Sequence, residues 1–302
     1  MILFDRMLEA ELIHGASILE VGNAWGYGDN IPMLRAVPIK IDNIMKQLDA
    51  DIKYYSRLLL NPPKSIPPFE YSFLDSYATG PNLKISGRRG VHVGCFKDKE
   101  AEIGFERLLR NKHHRNLQYQ SFKEMNAKYM LAFTFFEEDN RGIIIRSPGH
   151  ICFLNGDGNR VEDSGLWIRT IKDFDDDYEE RKESQRLWVH ICLFIFSLMN
   201  CKNTIVIKED APVEEQGKRI KQVGHPLVTY RIIKIDQVLT KHDSRHRPNN
   251  GFGYRPLHLC RGHFATYSAE KPLFGRYAGT FWKPQHIRGR EKYGAVIKEY
   301  EF

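Results

Sequence analysis

Leu187-Trp188-Val189-His190-Ile191-Cys192-Leu193-Phe194-Ile195-Phe196-Ser197-Leu198-Met199 is the longest apolar run in the chain. It is too short to span a bilayer and is interrupted by His190, so it reads as a buried helix. It is apolar nearly all round, the pattern of a helix covered on every side and hence of a central core element. His190 within it reads as a satisfied core histidine. The helix is expected to start near Tyr178, just after the acidic run Asp173-Phe174-Asp175-Asp176-Asp177. Acid at a helix N-terminus complements the helix dipole. A carboxylate metal cluster built from Asp175, Asp176 and Asp177 is the sharper alternative.

The sequence upstream divides by texture. Residues 1–20 read as an amphipathic helix, and the glycines of residues 22–30 as a plain loop. Ile41, Ile44, Met45, Leu48, Ile52 and Tyr55 keep helical spacing over residues 41–60. Pro62, Pro63, Pro67 and Pro68 end that helix. Residues 69–95 look irregular, with a strand at 91–96, and residues 97–116 read as a helix with a basic, solvated end at 110–115. From Tyr129 the pattern is β. Residues 129–137 and 143–146 form an expected hairpin, and 150–154 and 160–167 flank a second turn at Asn155-Gly156-Asp157-Gly158-Asn159. That turn fails as a calcium loop, because its twelfth position is Leu166 where a glutamate is needed. Residues 204–207 and 227–235 read as strands, and 209–223 as a charged, mobile stretch between them.

These readings make an α+β protein. A mainly helical part, residues 1–120, precedes an α+β part, residues 121–302, in which an antiparallel sheet packs on the central helix. The basic C-terminal β segment completes that sheet. Hydrophobic content of 42% with 12% aromatics is that of a globular chain. The five cysteines are odd in number and scattered, as reduced thiols are in a cytoplasmic protein. Asp5, Arg6, Glu9 and Glu11 interrupt any signal-peptide core at the N-terminus. The expectation is a cytoplasmic protein without a membrane partner.

Charge is concentrated at the C-terminus. Residues 241–302 hold 12 Lys/Arg against 5 Asp/Glu, a net of +7, and the whole chain is also +7, so the first 240 residues are neutral. Such a bias suggests an anionic partner, with nucleic acid first. Residues 241–253 are a basic, Gly/Asn-rich loop suited to ordering on that partner. Beyond them stand two mirrored clusters, Arg261-Gly262-His263 and His286-Ile287-Arg288-Gly289. In extended chain, side chains two apart share a face. Antiparallel pairing with His263 opposite His286 would set Arg261 opposite Arg288 and Tyr267 opposite Trp282. Two facing arginines need an anion between them. Pro284 marks the second segment as an edge strand or as broken there, and residues 271–276 form a flap between the two.

On this reading Arg255, His258, Arg261, Lys283 and Arg288 hold phosphate, and Tyr267 and Trp282 stack bases. His263 as base and His286 as acid could cleave RNA without a metal or other cofactor. The blander alternative is a basic hairpin whose His and Arg satisfy carbonyls and carboxylates. A zinc site from His258, Cys260, His263 and His286 is a third, without CxxC or HxxxH spacing to support it.

The order Arg255-Pro256-x-His258, Arg261-Gly262-His263-Phe264, a Gly-containing spacer and Trp282-x-Pro284 resembles the C-terminal signature of a phage and mobile-element family. This is the family of the VA-two anti-CRISPR, which acts against a type V-A CRISPR effector nuclease. The helix 187–199 followed by Cys201-Lys202-Asn203 is similar to that family's segment upstream of the signature. The resemblance covers roughly the last 120 residues, and no match to the family's peptide-recognition surface precedes residue 180. It implies a counter-defence protein that lowers production of a host effector. The partners implied are RNA, or a ribosome-associated nascent chain and a peptide segment of that effector. A toxin-like ribonuclease and a non-catalytic peptide-binding adaptor stand as the other two readings.

Overall fold

The computed structural model describes residues 4, 7, 36–50, 52–77, 87–110, 124–138, 144–161, 166–168, 178–223, 227–236, 257–288 and 295–296. The chain forms two compact units. One is Met1–Met199 with Val206–Ile233, and the other is Asn200–Ile205 with Lys234–Phe302. The expected helix over residues 1–20 (apart from Phe4 and Met7), the loop at 22–30, the basic run 111–115, the acidic run 173–177 and the loop 241–253 lie outside the described residues.

In chain order the first unit runs β1 (Val37–Lys40), α1 (Asp42–Ala50), α2 (Ile52–Leu60), β2 (Tyr71–Tyr77), β3 (Arg88–Lys97), α3 (Asp98–Arg110), β4 (Tyr129–Glu138), β5 (Ile144–Leu154), β6 (Leu166–Ile168) and α4 (Tyr178–Met199). Then come β7 (Thr204–Glu209), α5 (Val213–Val223) and β8 (Tyr230–Ile235). The strands make one eight-stranded sheet in the order β6-β5-β4-β3-β2-β1-β8-β7. The α+β class expected from the sequence holds. The sheet, however, is mixed: β2 to β6 pair antiparallel, whereas β1 runs parallel to both β2 and β8. Parallel neighbours need a crossover, and α1 with α2 supplies it between β1 and β2. Strands from both sides of residue 120 share this sheet, so the division expected there does not occur. The C-terminal strands do not complete it either; they form small sheets of their own.

The centre of the sheet, β2 to β4, is buried on both faces, whereas the edge strand β7 is largely exposed. Side chains alternate along a strand, and one set (Tyr71, Phe73, Phe96, Met130, Phe136, Phe153) packs with Phe4, Met7 and the α3 residues Ala101 and Phe105. Phe4 meets Phe73 at 5.1 Å between ring centroids, and Phe105 meets Phe153 at 4.9 Å. The opposite set faces α4. Arg89 Nη1 donates to Ser184 Oγ at 3.0 Å, and the Arg89 guanidinium lies over the Trp188 ring. On another side of α4, Phe194 takes Tyr55 of α2 edge-on at 6.1 Å. Helix α4 is thus packed by the sheet and by α2, which is why an all-round apolar sequence suits it. From Trp188 to Phe196 no side chain is more than 9% exposed.

Three departures from the sequence reading have physical causes. Strand β2 was hidden because Ser72, Asp75 and Ser76 are buried in it, which erases the polar–apolar alternation. Asp75 Oδ2 is partnered by the Phe4 backbone N–H at 3.3 Å. Two short expected strands, 143–146 and 150–154, are one strand, β5. Its register against β4 shifts between Phe133 and Phe135, a bulge that absorbs Pro148 and its missing donor. The charged stretch 209–223 carries helix α5, with Glu214 and Glu215 in its first turn and Lys221 in its last, the arrangement that complements the helix dipole.

His92 and His150 are 2% and 4% exposed. Burial lowers His92 to about 4. Burial, then the charges of Arg160, His190 and Arg186, lower His150 to about 3. Both folded values lie below the unfolded value near 6.5, so the unfolded chain binds the extra protons. The stability from these neutral rings is complete above pH ~6.5 and is lost as pH falls toward 4 and 3. At ~1.4 kcal/mol per pKa unit, each ring accounts for about 3 kcal/mol between pH 6.5 and 4. Denaturant melts are therefore expected to lose several kcal/mol across that window, and His150→Gln should flatten the curve. An unchanged pH dependence in that variant would remove His150 from the acid limb.

Candidate nucleic-acid interface

The second unit is built on a hairpin. Its strands are β9 (Leu257–Cys260), β10 (His263–Tyr267), β11 (Gly279–Lys283), β12 (His286–Arg288) and β13 (Ala295–Val296). Strand β10 pairs antiparallel with β11, setting His263 opposite Lys283 and Phe264 opposite Trp282. Strand β12 pairs antiparallel with β9, setting His286 opposite Cys260 and Arg288 opposite His258. Counting inward from both ladders reaches the same two pairs, Gly262 with Pro284 and Arg261 with Gln285. One long hairpin, residues 257–288, is therefore interrupted once on each strand at the same level. Proline fixes φ at about −65°, away from strand values, and glycine offers no side chain to pack; the break falls where these two residues meet, one of the two outcomes that Pro284 suggested.

The register differs by three residues from the one expected, and an odd shift exchanges the faces. Matching the two His/Arg clusters to each other suggested the wrong pairing. The observed one joins aromatic to aromatic, Phe264 against Trp282 at 4.9 Å, and hydroxyl to hydroxyl, Thr266 Oγ1 to Thr280 Oγ1 at 3.0 Å. Arg261 and Arg288 are consequently not opposite, nor are Tyr267 and Trp282, nor His263 and His286. The two histidines are separated by three residues of ladder, about 10 Å of strand rise. Trp282, expected to stack bases, is 4% exposed. Its ring supports the hairpin instead.

Each break precedes a histidine. His263 opens β10 and His286 opens β12. His263 Nδ1 lies 3.0 Å from the Arg261 carbonyl, and His286 Nδ1 lies 2.9 Å from the Pro284 carbonyl. A carbonyl only accepts, so Nδ1 carries the proton in both rings, and a neutral ring then holds its acceptor lone pair on Nε2. The same two-residue tether thus sets both tautomers. Alternation puts His263, Tyr267, Phe281 and Lys283 on one face of the β10–β11 ladder. There Lys283 Nζ lies 5.2 Å from the Tyr267 ring centre, and Tyr267 meets Phe281 edge-on at 5.9 Å. Among residues 257–288, Arg261, Lys271, Arg276, Lys283 and Arg288 face a single acid, Glu270. Arg255 lies outside the described residues, and only the backbones of His258 and Arg288 are described.

Sequence reasoning missed how this hairpin is held. Asn203, 3% exposed, accepts the Trp282 backbone N–H on Oδ1 at 2.9 Å and donates from Nδ2 to the Trp282 carbonyl at 2.7 Å. One side-chain amide thereby plays the part of a neighbouring strand. Beside it, the Lys202 N–H donates to the Thr280 carbonyl at 2.9 Å, and the Asn203 carbonyl accepts from the Asp236 N–H at 2.7 Å. Gly279, at φ +122°, lets this strap pass, since a Cβ there would meet Lys202 Cγ at 3.0 Å. Burial pushes the Cys201 thiol up to about 12, so it stays protonated at neutral pH. The signal was in view: Cys201-Lys202-Asn203 and Trp282-x-Pro284 are two of the segments on which the resemblance rests, and they touch.

Other chemistry is less developed. Among the described residues no three His, Cys, Asp or Glu side chains gather as a metal site requires. In the turn 155–159, Asn155 Oδ1 is occupied by the N–H groups of Asp157 and Asn159, both at 3.0 Å. In the first unit α5 and β8 border a cavity of about 570 Å³. It is lined by Lys40, Lys218 and Arg219 but equally by Glu209, Asp210 and Glu215, so it has no charge bias. Comparison with family models, curated proteins and solved structures finds no match to this chain.

Replacing Asn203 with Ala removes two hydrogen bonds from the buried backbone of Trp282. At about 1–3 kcal/mol per unsatisfied group, Asn203→Ala should speed hydrogen exchange at the Trp282 amide by roughly a hundredfold. Unchanged protection there would mean that the strap does not hold the hairpin.

Proposed function

We propose that this chain is a counter-defence factor of the phage and mobile-element kind that engages RNA through the hairpin 257–288. The observation that carries the reading is the paired setting of His263 and His286. Each begins a strand at the common break, and each is tethered through Nδ1 to the carbonyl two residues back. Tethered rings present Nε2 in a fixed direction, where a protonated ring donates to a phosphate oxygen. Lys283 directly opposite His263 adds a cation to the same face, and the 12-to-5 excess of basic residues over residues 241–302 supplies the attraction. The resemblance of the C-terminal signature adds the biological setting: a message whose protein product the factor suppresses, in the cytoplasm of a host cell.

Binding is favoured over cleavage. An acid–base couple acting on one phosphodiester needs both rings at the same phosphorus, and the ladder sets His263 opposite Lys283 and His286 opposite Cys260. The purified chain should retain labelled RNA and return it uncut. Its affinity should fall as salt rises, and Lys283→Ala should reduce the slope of log K against log salt by about 0.7, one phosphate contact on a single strand. A salt-independent affinity, or no retained RNA, would sink the reading in favour of a peptide-binding adaptor. Cleavage by the wild type that His263→Ala abolishes would reinstate the ribonuclease.

A further inference from the structure

The tip of the hairpin is a built turn, not a loose flap. The Leu273 N–H donates to the Tyr277 carbonyl at 2.8 Å, and the Tyr277 N–H donates back to the Leu273 carbonyl at 3.0 Å. The Arg276 N–H donates to the Leu273 carbonyl at 3.1 Å, and the Gly275 N–H to the Pro272 carbonyl at 3.2 Å. At the entrance the Lys271 N–H donates to Ser268 Oγ at 3.2 Å. Phe274 and Gly275 both have positive φ, 53° and 71°. Gly or Asn is the usual occupant of such a position, and a bulky aromatic is a genuine outlier. Phe274 is 38% exposed and Tyr277 is 43% exposed. A costly backbone at a site that gains little burial points to function more than to folding.

We infer that this tip is a base-stacking platform, so that the RNA engaged by the hairpin is single-stranded. The inference rests on the RNA reading above and specifies the form of RNA. Two exposed rings stand on one hydrogen-bonded turn, and Lys271 and Arg276 are exposed within the same seven residues. The one acid among residues 257–288 is Glu270. Its carboxyl is held below the usual range by the Ser268 hydroxyl, so it stays a charged cap on the turn. Rings stack on the flat faces of bases, which a duplex keeps inside and a single strand exposes. Cations beside the rings meet the phosphates that accompany those bases. An apolar protein partner would instead be matched by apolar surroundings, and here the neighbouring side chains are cationic. Strands β10 and β11 join the tip directly to His263 and Lys283, so one strand of RNA could run from the rings to the tethered imidazoles.

The test uses the full chain, a labelled single-stranded oligoribonucleotide and the duplex made from it. Phe274→Gly removes a ring while suiting the positive φ, and Tyr277→Ala removes the other while keeping its backbone bonds. Unchanged melting curves establish that both variants fold. The wild type should prefer the single strand. Each variant should bind it about fivefold or more weakly, bind the duplex as before and keep the wild-type salt slope. Wild-type binding of the two RNA forms alike, or variants that retain the preference, would overturn the inference and leave the hairpin's phosphate contacts standing. Wild-type protein that retains neither RNA would overturn both readings together.

Discussion

One interruption shapes the hairpin of the second unit, at a proline whose ring fixes φ at about −65°, away from strand values. Pro284 has no N–H, and by the register of the two flanking ladders it stands opposite Gly262. The hairpin breaks there on both strands, and its two halves resume with the same register. Past the break, the Arg261 and Pro284 carbonyls each meet the histidine two residues on. The two imidazoles are tethered alike. Beside that break β11 is held at its edge by the Asn203 amide and by the Lys202 N–H, which donates to the Thr280 carbonyl.

Histidines stand in different settings in the two units. His92 lies against Tyr71 with rings nearly parallel, and His150 sits among cations. Burial keeps both neutral, and they contribute to stability only above the acid range. His263 and His286 are part-buried, have one nitrogen committed to a carbonyl and belong to a segment with a strong basic excess. The difference is environmental, since the side chain is the same. Charge divides along the chain as well: the first 240 residues are neutral, and residues 241–302 carry the whole net charge of +7.

Much of the scaffold was legible. The apolar run 187–199 announced a helix covered on all sides, and α4 is one; the alternating stretches after Tyr129 announced β4 and β5. Strand β2 was not legible, because Ser72, Asp75 and Ser76 are buried in it, and the partners of Asp75 and Ser76 are ones that no local pattern reveals. Strand β1 is too short to show a period, and its parallel pairing is settled by the crossover through α1 and α2. At the site, residue types were legible and register was not. Charge pattern favoured His263 against His286, whereas the Phe264–Trp282 ring pair and the turn at Leu273–Tyr277 set the ladder three residues away. Asn203 shows the same limit: its value lies in backbone groups 79 residues distant. Phe274 could be read only from its φ.

The tethered state of the two rings can be observed directly. Long-range nitrogen–proton correlation spectra of the full chain, recorded at pH 8 where an ordinary imidazole is neutral, distinguish the two tautomers of each histidine. Proton-bearing Nδ1 and unprotonated Nε2 at both His263 and His286 is the expected result. The opposite tautomer at either ring, or rapid exchange between the two, would contradict the claim that both histidines are tethered through Nδ1 to the carbonyl two residues back.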